Sequence, residues 1–184
     1  MALTFSNHRG VIMNKVEIPL SKTKLLLGIS GSILFVLLGV FLFTVAGNQT
    51  RFSPAFIKWA GIAGILFFSA TGVYGIRKMF DNKIGLTIDE NGILDNTNAS
   101  SIGFIKWSDI TEIETAKVAS TKFLLIYTTN PEYYLGKASW FKRKLMEGNS
   151  KMYGTPLSIT SNTLKCKFKD LEKIVYDRFH KQRE

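Results

Sequence analysis

Five acids cluster in the middle of the chain: Asp89 and Glu90 in IDENG, and Asp109, Glu112 and Glu114 in KWSDITEIE. Two carboxylates held together from such a set could serve as general acid and general base. The same residues also suit a hairpin turn, Asp-Glu-Asn-Gly, and the wet face of a strand, which explains them without chemistry. A nucleophile is harder to assemble. Cys166 is the only cysteine, and His8 and His180 are the only histidines, neither with an evident partner. These soft ligands are too few for a structural zinc site, and a single thiol excludes an intrachain disulfide, as a reducing compartment would have it. No Walker loop, GxSxG elbow or HExxH pair occurs. The glycines of GISGS lie inside an apolar run, where they are packing positions and not a phosphate cradle. The residues therefore predict no enzyme, with no catalytic, metal or cofactor site.

The segment richest in binding residue types is PEYYLGKASWFKRKLMEGNSKMYG, residues 131–154. On one continuous helix over about 131–148, Tyr134, Ala138, Phe141 and Leu145 form a stripe. Tyr133, Lys137, Trp140 and Lys144 flank it on one side, and Leu135, Lys142 and Met146 on the other. An apolar stripe bordered by bases and a tryptophan suits a helix lying at a membrane interface. Lys137, Trp140, Lys142, Arg143 and Lys144 are the candidate interface residues. Packing of this basic amphipathic insertion on its own sheet, with a solvated basic rim, is the alternative.

Two apolar runs decide what must position these residues. Leu25 to Ala46 holds 22 uncharged residues and Trp59 to Ile76 a further 18. At about 1.5 Å per residue the first spans roughly 33 Å, enough for a hydrocarbon core of about 30 Å. The run is longer than the apolar core of a cleavable signal peptide, so a retained anchor is expected. The link from Gly47 to Pro54 is short and turn-rich, which predicts a transmembrane helical hairpin at 23–78, with helices about 25–46 and 55–76. Arg9, Lys15, Lys22 and Lys24 precede the hairpin, and Arg77, Lys78 and Lys83 follow it. Excess bases stay on the cytoplasmic side, so both termini are expected there. Gly28-x-x-x-Ser32 and Ala60-x-x-x-Gly64 supply small residues at one-turn spacing for helix packing, within the chain or in a homodimer.

Residues 1–22 form an N-terminal segment in which Val16–Leu20 alternates like a short strand. Met13 makes as plausible a start as Met1. From residue 83 the period changes to two. Strands are expected at Leu86–Ile88, Ile93–Asp95, Gly103–Lys106, Ile110–Val118, Phe123–Thr128, Pro156–Thr160 and Leu164–Phe168, with a helix over Asp170–Lys181. Lys106 should seek water, so Ile105 and Trp107 should point into the core. The unit at 83–184 reads as an antiparallel sheet or partly open barrel closed by a C-terminal helix, and the fold class as α+β membrane protein. The net charge of +10 includes Lys165, Lys167, Lys169 and Lys173. No helix-turn-helix or RNA-binding pattern accompanies them, which disfavours nucleic acid as a partner.

The order of strand, Asp-Glu-Asn-Gly turn, strand, Ile-Lys-Trp-Ser-Asp-Ile corner, long strands and one C-terminal helix resembles bacterial pleckstrin-homology-like domains. The chain from Met13 also resembles an uncharacterised family of small bacterial inner-membrane proteins, with two N-terminal helices before a cytosolic module. VEIPLSKTKLLL, GIRKMFDNKIGLTIDENGI, IKWSDITEIE, STKFLLIY, FKRKLM, KMYGTPLSI and SNTLKC carry that likeness. It implies a multi-pass protein of the bacterial cytoplasmic membrane and transfers no catalytic residues. Phosphoinositide-binding relatives place bases at the first strand turn, whereas Asp89 and Glu90 here would repel phosphate. The expected function is a membrane-anchored, non-enzymatic interaction module that binds a protein partner beside the lipid bilayer. An immunity-type protein neutralising a membrane-acting toxin and an anionic-lipid sensor are the alternatives.

Overall fold

The computed structural model describes residues 15–48 and 52–183; the first fourteen residues, His8 among them, and the connecting residues 49–51 lie outside that description. The described chain is α+β and divides into a helical unit, Lys22–Asn82, and a mixed unit formed by the residues on either side of it.

The helical unit consists of α1 (Lys22–Val45) and α2 (Pro54–Met79), both long and apolar enough to cross a membrane. Pro54 opens α2, where a missing backbone N–H costs nothing, and Arg77 and Lys78 in its last turn complement the helix dipole. Leu25, Ile29, Ser32 and Gly39 form the buried stripe of α1, and Ile57 and Gly61 lie on that of α2. Steps of four and three residues keep such a stripe facing an antiparallel neighbour. The backbones come closest at Gly39 and Gly61. A Cβ on Gly61 would stand 2.8 Å from the Gly39 carbonyl oxygen, and one on Gly39 only 2.9 Å from Ile65 Cγ1. Toward the other end the Ser32 and Thr71 hydroxyls meet at 3.3 Å, and the Phe35 and Phe68 rings stack at 4.4 Å.

The small residues named from sequence are thus mostly not the contact. Ser32 is buried, but Ala60 is exposed, and no atom lies within 4 Å of a Cβ built on Gly28 or Gly64. One-turn spacing identifies a smooth face; it does not say which smooth face meets the partner helix.

The mixed unit contains two antiparallel sheets. The first has the order β1 (Val16–Ile18), β2 (Leu86–Ile88), β3 (Gly92–Asp95), β4 (Gly103–Lys106). The second runs β5 (Ile110–Val118), β6 (Thr121–Thr128), β7 (Leu157–Thr160). No pairing links β4 to the second sheet, so the sheets do not close into a barrel. Helices α3 (Pro131–Lys137) and α4 (Trp140–Tyr153) connect β6 to β7, and α5 (Phe168–Lys181) ends the described chain.

The segment 1–22, read as a separate N-terminal piece, supplies the first strand of this unit. Val16 pairs with Ile88 and Ile18 with Leu86. Pro19 to Ser21 then bond across to the far end of the chain: Lys165 N–H donates to the Pro19 carbonyl at 2.9 Å, and Ser21 N–H to that of Thr163 at 2.7 Å. This contact also displaces the strand expected at Leu164–Phe168. Leu164 makes one bridge to Leu20, its N–H closes a turn onto Ser161 at 3.0 Å, and Phe168 already begins α5. The alternation Leu-Lys-Cys-Lys-Phe suits a strand, but its backbone is committed to a turn and to Pro19. Gly85 lets these pieces meet, since a Cβ there would lie 2.4 Å from Leu164 Cδ2 and 3.1 Å from the Ile18 carbonyl.

One core joins both sheets and α5. Ile18, Leu86, Ile88, Ile93 and Ile105 meet Leu124, Ile126, Leu157 and Ile159, with Leu171, Val175 and Phe179 of α5 on the same cluster. Helix α5 also closes the free edge of β5. The Tyr176 hydroxyl donates to the Ile113 carbonyl at 2.7 Å, and the Arg183 guanidinium to that of Thr111 at 2.7 Å.

Because Ile18 is a core residue, a fragment beginning at Lys83 should be deficient. Replacing Lys22–Asn82 by a flexible linker should give a soluble chain with a cooperative urea transition. The fragment 83–184 alone should melt at clearly lower urea or not fold. Equal midpoints for the two proteins would show that β1 contributes nothing to the unit.

Candidate functional site

Three of the five acids considered for catalysis, Asp89, Asp109 and Glu114, are bonded into the scaffold. Asp89 Oδ1 accepts from the N–H groups of Asn91 at 2.8 Å and Gly92 at 3.1 Å, bracing its own turn. The Trp107 indole N–H donates to the Asp89 carbonyl at 2.8 Å, which fastens that turn to the corner after β4. Asp109 accepts the Tyr134 hydroxyl at 2.7 Å and the Ser108 hydroxyl at 3.1 Å. Glu114 takes the Tyr127 hydroxyl at 2.9 Å. Trp107 is 7% exposed, in line with its expected inward placement beside Ile105.

These bonds leave their mark on the tyrosines. Burial, reinforced by the bond to Asp109, holds the Tyr134 phenol well above the ordinary tyrosine value. Tyr133 is shifted the other way by the hydrogen bond and charge of Lys137, whose ammonium also lies 3.9 Å from the ring centroid.

An open cleft beside the corner is lined by Trp107, Ser108, Ile110, Phe179, Gln182 and Arg183. Its C-terminal wall is tied down, with Gln182 Nε2 donating to the Glu90 carbonyl at 3.2 Å. Among the described residues no group of three or more His, Cys, Asp or Glu side chains is arranged to hold a metal ion. Cys166 is half-buried and packs against the core, and His180 lies against Tyr176 on α5.

The five interface candidates fall on α3 and α4, yet not on one continuous helix. Ala138 is extended, at φ −80° and ψ 141°, and Ser139 begins a new helix. On an unbroken helix Met146 would lie about 120° round from Tyr134. The break rephases the chain so that Tyr134 and Met146 are both fully buried. The expected stripe is therefore divided: Tyr134 goes to the core, while Phe141 and Leu145 remain outside. Asn130 starts α3, accepting the Tyr133 N–H at 3.2 Å ahead of Pro131. Gly154, at φ 80°, ends α4 in the left-handed conformation that glycine adopts freely.

The candidates now separate by role. Lys142 turns inward and donates to the Ser101 carbonyl at 2.5 Å, within a polar network that sequence reasoning missed. In that network Asn98 Nδ2 donates to the Ser158 carbonyl at 2.8 Å, and Asn149 Nδ2 reaches the Ser158 hydroxyl at 3.3 Å. Arg143 and Lys144 both pair with Glu147, at 2.9 and 3.1 Å, and hold its carboxyl below the usual range. Lys137 sits over Tyr133. Trp140 is 75% exposed. The outer face of α4 adds Met152, 70% exposed, and Lys151, both beyond the expected end of the helix.

No family model, curated protein or solved structure matches the chain.

Two substitutions test the structural roles, each in the chain whose hairpin is replaced by a linker. Trp107→Ala removes a buried aromatic and should cost about 3–5 kcal/mol, against a typical domain stability of roughly 5–15 kcal/mol. Urea melts should show unfolding or a large loss; overlapping melts with lost partner crosslinking would make Trp107 a recognition residue. Tyr134→Phe should cost about 1 kcal/mol at neutral pH through the lost bond. A tyrosine held protonated contributes stability in full below about pH 10 that is lost as pH rises toward its raised value. The wild type should therefore lose stability above that pH more steeply than Tyr134→Phe, and parallel alkaline curves would contradict this.

Proposed function

We propose that this chain is a membrane-anchored, non-enzymatic interaction module of the bacterial cytoplasmic membrane, with both termini cytoplasmic and a protein as its partner. The surface of the helical unit is the observation that carries the anchor. Leu27, Leu34, Leu66 and Phe67 are each more than 60% exposed, with Leu26, Ile33, Phe41 and Trp59 exposed beside them. A soluble protein rarely leaves a contiguous apolar surface of this extent in water, and lipid is the medium in which it carries no penalty. Lys22 and Lys24 at the start of α1, with Arg77 and Lys78 in the last turn of α2 and Lys83 after it, support the cytoplasmic placement of both ends.

The mixed unit follows a pleckstrin-homology-like plan: four strands, three strands and a C-terminal helix, with the helical hairpin inserted between β1 and β2. Asp89, Asp109 and Glu114, three of the five carboxylates that could have supported a reaction, bond to a turn and to tyrosines of the scaffold, which favours binding over catalysis. Because Val16–Ile18 is β1, the acidic Asp89–Gly92 turn is the second strand connection and not the first, so its charge does not bear on the position where inositide-binding domains of this plan carry their bases.

Reporter fusions test the topology. A reporter active only outside the cytoplasm should be active after Asn48 and silent after Glu184; activity after Glu184 would overturn the reading. Photocrosslinkers on the mixed unit should trap a discrete protein adduct in intact cells, and adducts to lipid alone would remove the protein partner.

A further inference from the structure

We infer that the outer face of α4 docks on an anionic bilayer surface, through Phe141, Leu145 and Met152 with Lys144 and Lys151 at their border and Lys137 at the end of α3 just ahead of it in the chain. The inference rests on the membrane-anchored reading and names the surface that unit would rest on. Phe141, Leu145, Gly148 and Met152 follow one another at steps of four, three and four residues, within about 60° of the helix circumference. Phe141 and Met152 are 63% and 70% exposed, and Leu145 is 36% exposed. The inner face, with Met146, Lys142 and Asn149, is already occupied by the fold. Trp140, Lys144 and Lys151 lie together along one border of the stripe. Over α3 and α4 five bases stand against two acids, Glu132 and Glu147.

That pattern fits lipid better than a second protein copy. A helix of 14 residues is about 21 Å long, and a strip about 10 Å wide offers roughly 200 Å², well below the roughly 800 Å² per partner of a stable complex. A bilayer needs no such area, because the anchor supplies it at high effective concentration. The covalent links are short: Pro19–Ser21 leads from β1 into α1, and Phe80–Gly85 from α2 into β2. Each base near anionic headgroups adds attraction, and a tryptophan at the border sits where such side chains gather. Lys137, Lys144 and Lys151 are exposed; Lys137 lies over the exposed Tyr133 ring and Lys144 pairs with the half-buried Glu147 at 3.1 Å, surface contacts that headgroup phosphates can replace.

The test uses the full chain carrying Cys166→Ser, reconstituted in vesicles, with a nickel chelate present on both sides of the bilayer. Spin labels go singly on Phe141→Cys, Leu145→Cys and Met152→Cys, on Lys117→Cys as a water reference, and on Leu34→Cys and Leu66→Cys as anchor references. In phosphatidylcholine with phosphatidylglycerol, the three α4 labels should be open to oxygen and several-fold less open to nickel than the label at 117. Phosphatidylcholine alone should abolish most of that difference, as should Lys137→Glu, Lys144→Glu and Lys151→Glu together. Water-like labels on α4 beside immersed labels at 34 and 66 would overturn the docking while leaving the anchor intact. Equal shielding in both lipids would overturn the anionic requirement, and label–label broadening without oxygen access would assign the face to a second copy. Nickel access at 34 and 66 would defeat the anchor itself, and the docking with it.

Discussion

Antiparallel pairing of Ile18 with Leu86, on opposite sides of the helical hairpin, is the constraint on which the rest of the chain depends. Closing a flexible loop of some sixty to seventy residues would cost about 4 kcal/mol of chain entropy. The ladder of a three-residue strand, at about 1 kcal/mol per hydrogen bond, at best offsets that. The hairpin lowers the cost because it is not a flexible loop. Gly39 against Gly61 fixes its register near the connection, and Ile29 against Gly75 holds the opposite end together. The close glycine contacts of the helical unit thus also stabilise a strand pair in the other unit, through the chain and not through touching surfaces.

The corner after β4 performs the corresponding task inside the mixed unit. Trp107 ties the β2–β3 turn through the Asp89 carbonyl, and two residues later Asp109 ties α3 through Tyr134. One short segment therefore sets both the first sheet's turn and the helical insertion. Residue types that suggested acid–base chemistry are the ones a fold needs at such a junction, since carboxylates accept several hydrogen bonds at once. Locating α3 from below also determines what α4 can present outward.

Local pattern was legible wherever it had one solution. Ile105 and Trp107 point inward and Lys106 outward, as the period of two requires, and the Asp-Glu-Asn-Gly turn lies where its residue types put it. The β5–β6 turn gave no comparable signal: it contains neither glycine nor asparagine, and Ala119 takes φ 51° there. Two other features depended on partners distant in the chain. The role of β1 follows from β2 beyond the hairpin, and the turn at Leu164 from Pro19. No window of sequence contains both halves of those arguments. The break at Ala138 lies within one window, but the core that receives Tyr134 and Met146 together is built from other parts of the chain. The interface candidates were mixed for the same reason, since Lys142 is drawn inward by Ser101, a residue of a loop between two other strands.

Helix α5 does more than fill the core. A nine-residue strand with one unpaired edge is a template on which another chain can add a strand. In β5 the Thr111 and Ile113 carbonyls are already taken by Arg183 and Tyr176, and Glu172 holds the Thr115 hydroxyl at 2.5 Å. The edge is thus occupied by side chains of the same molecule, and polymerisation through it would first require α5 to peel away. This seal on β5 keeps encounters between copies of the chain from becoming shared sheets.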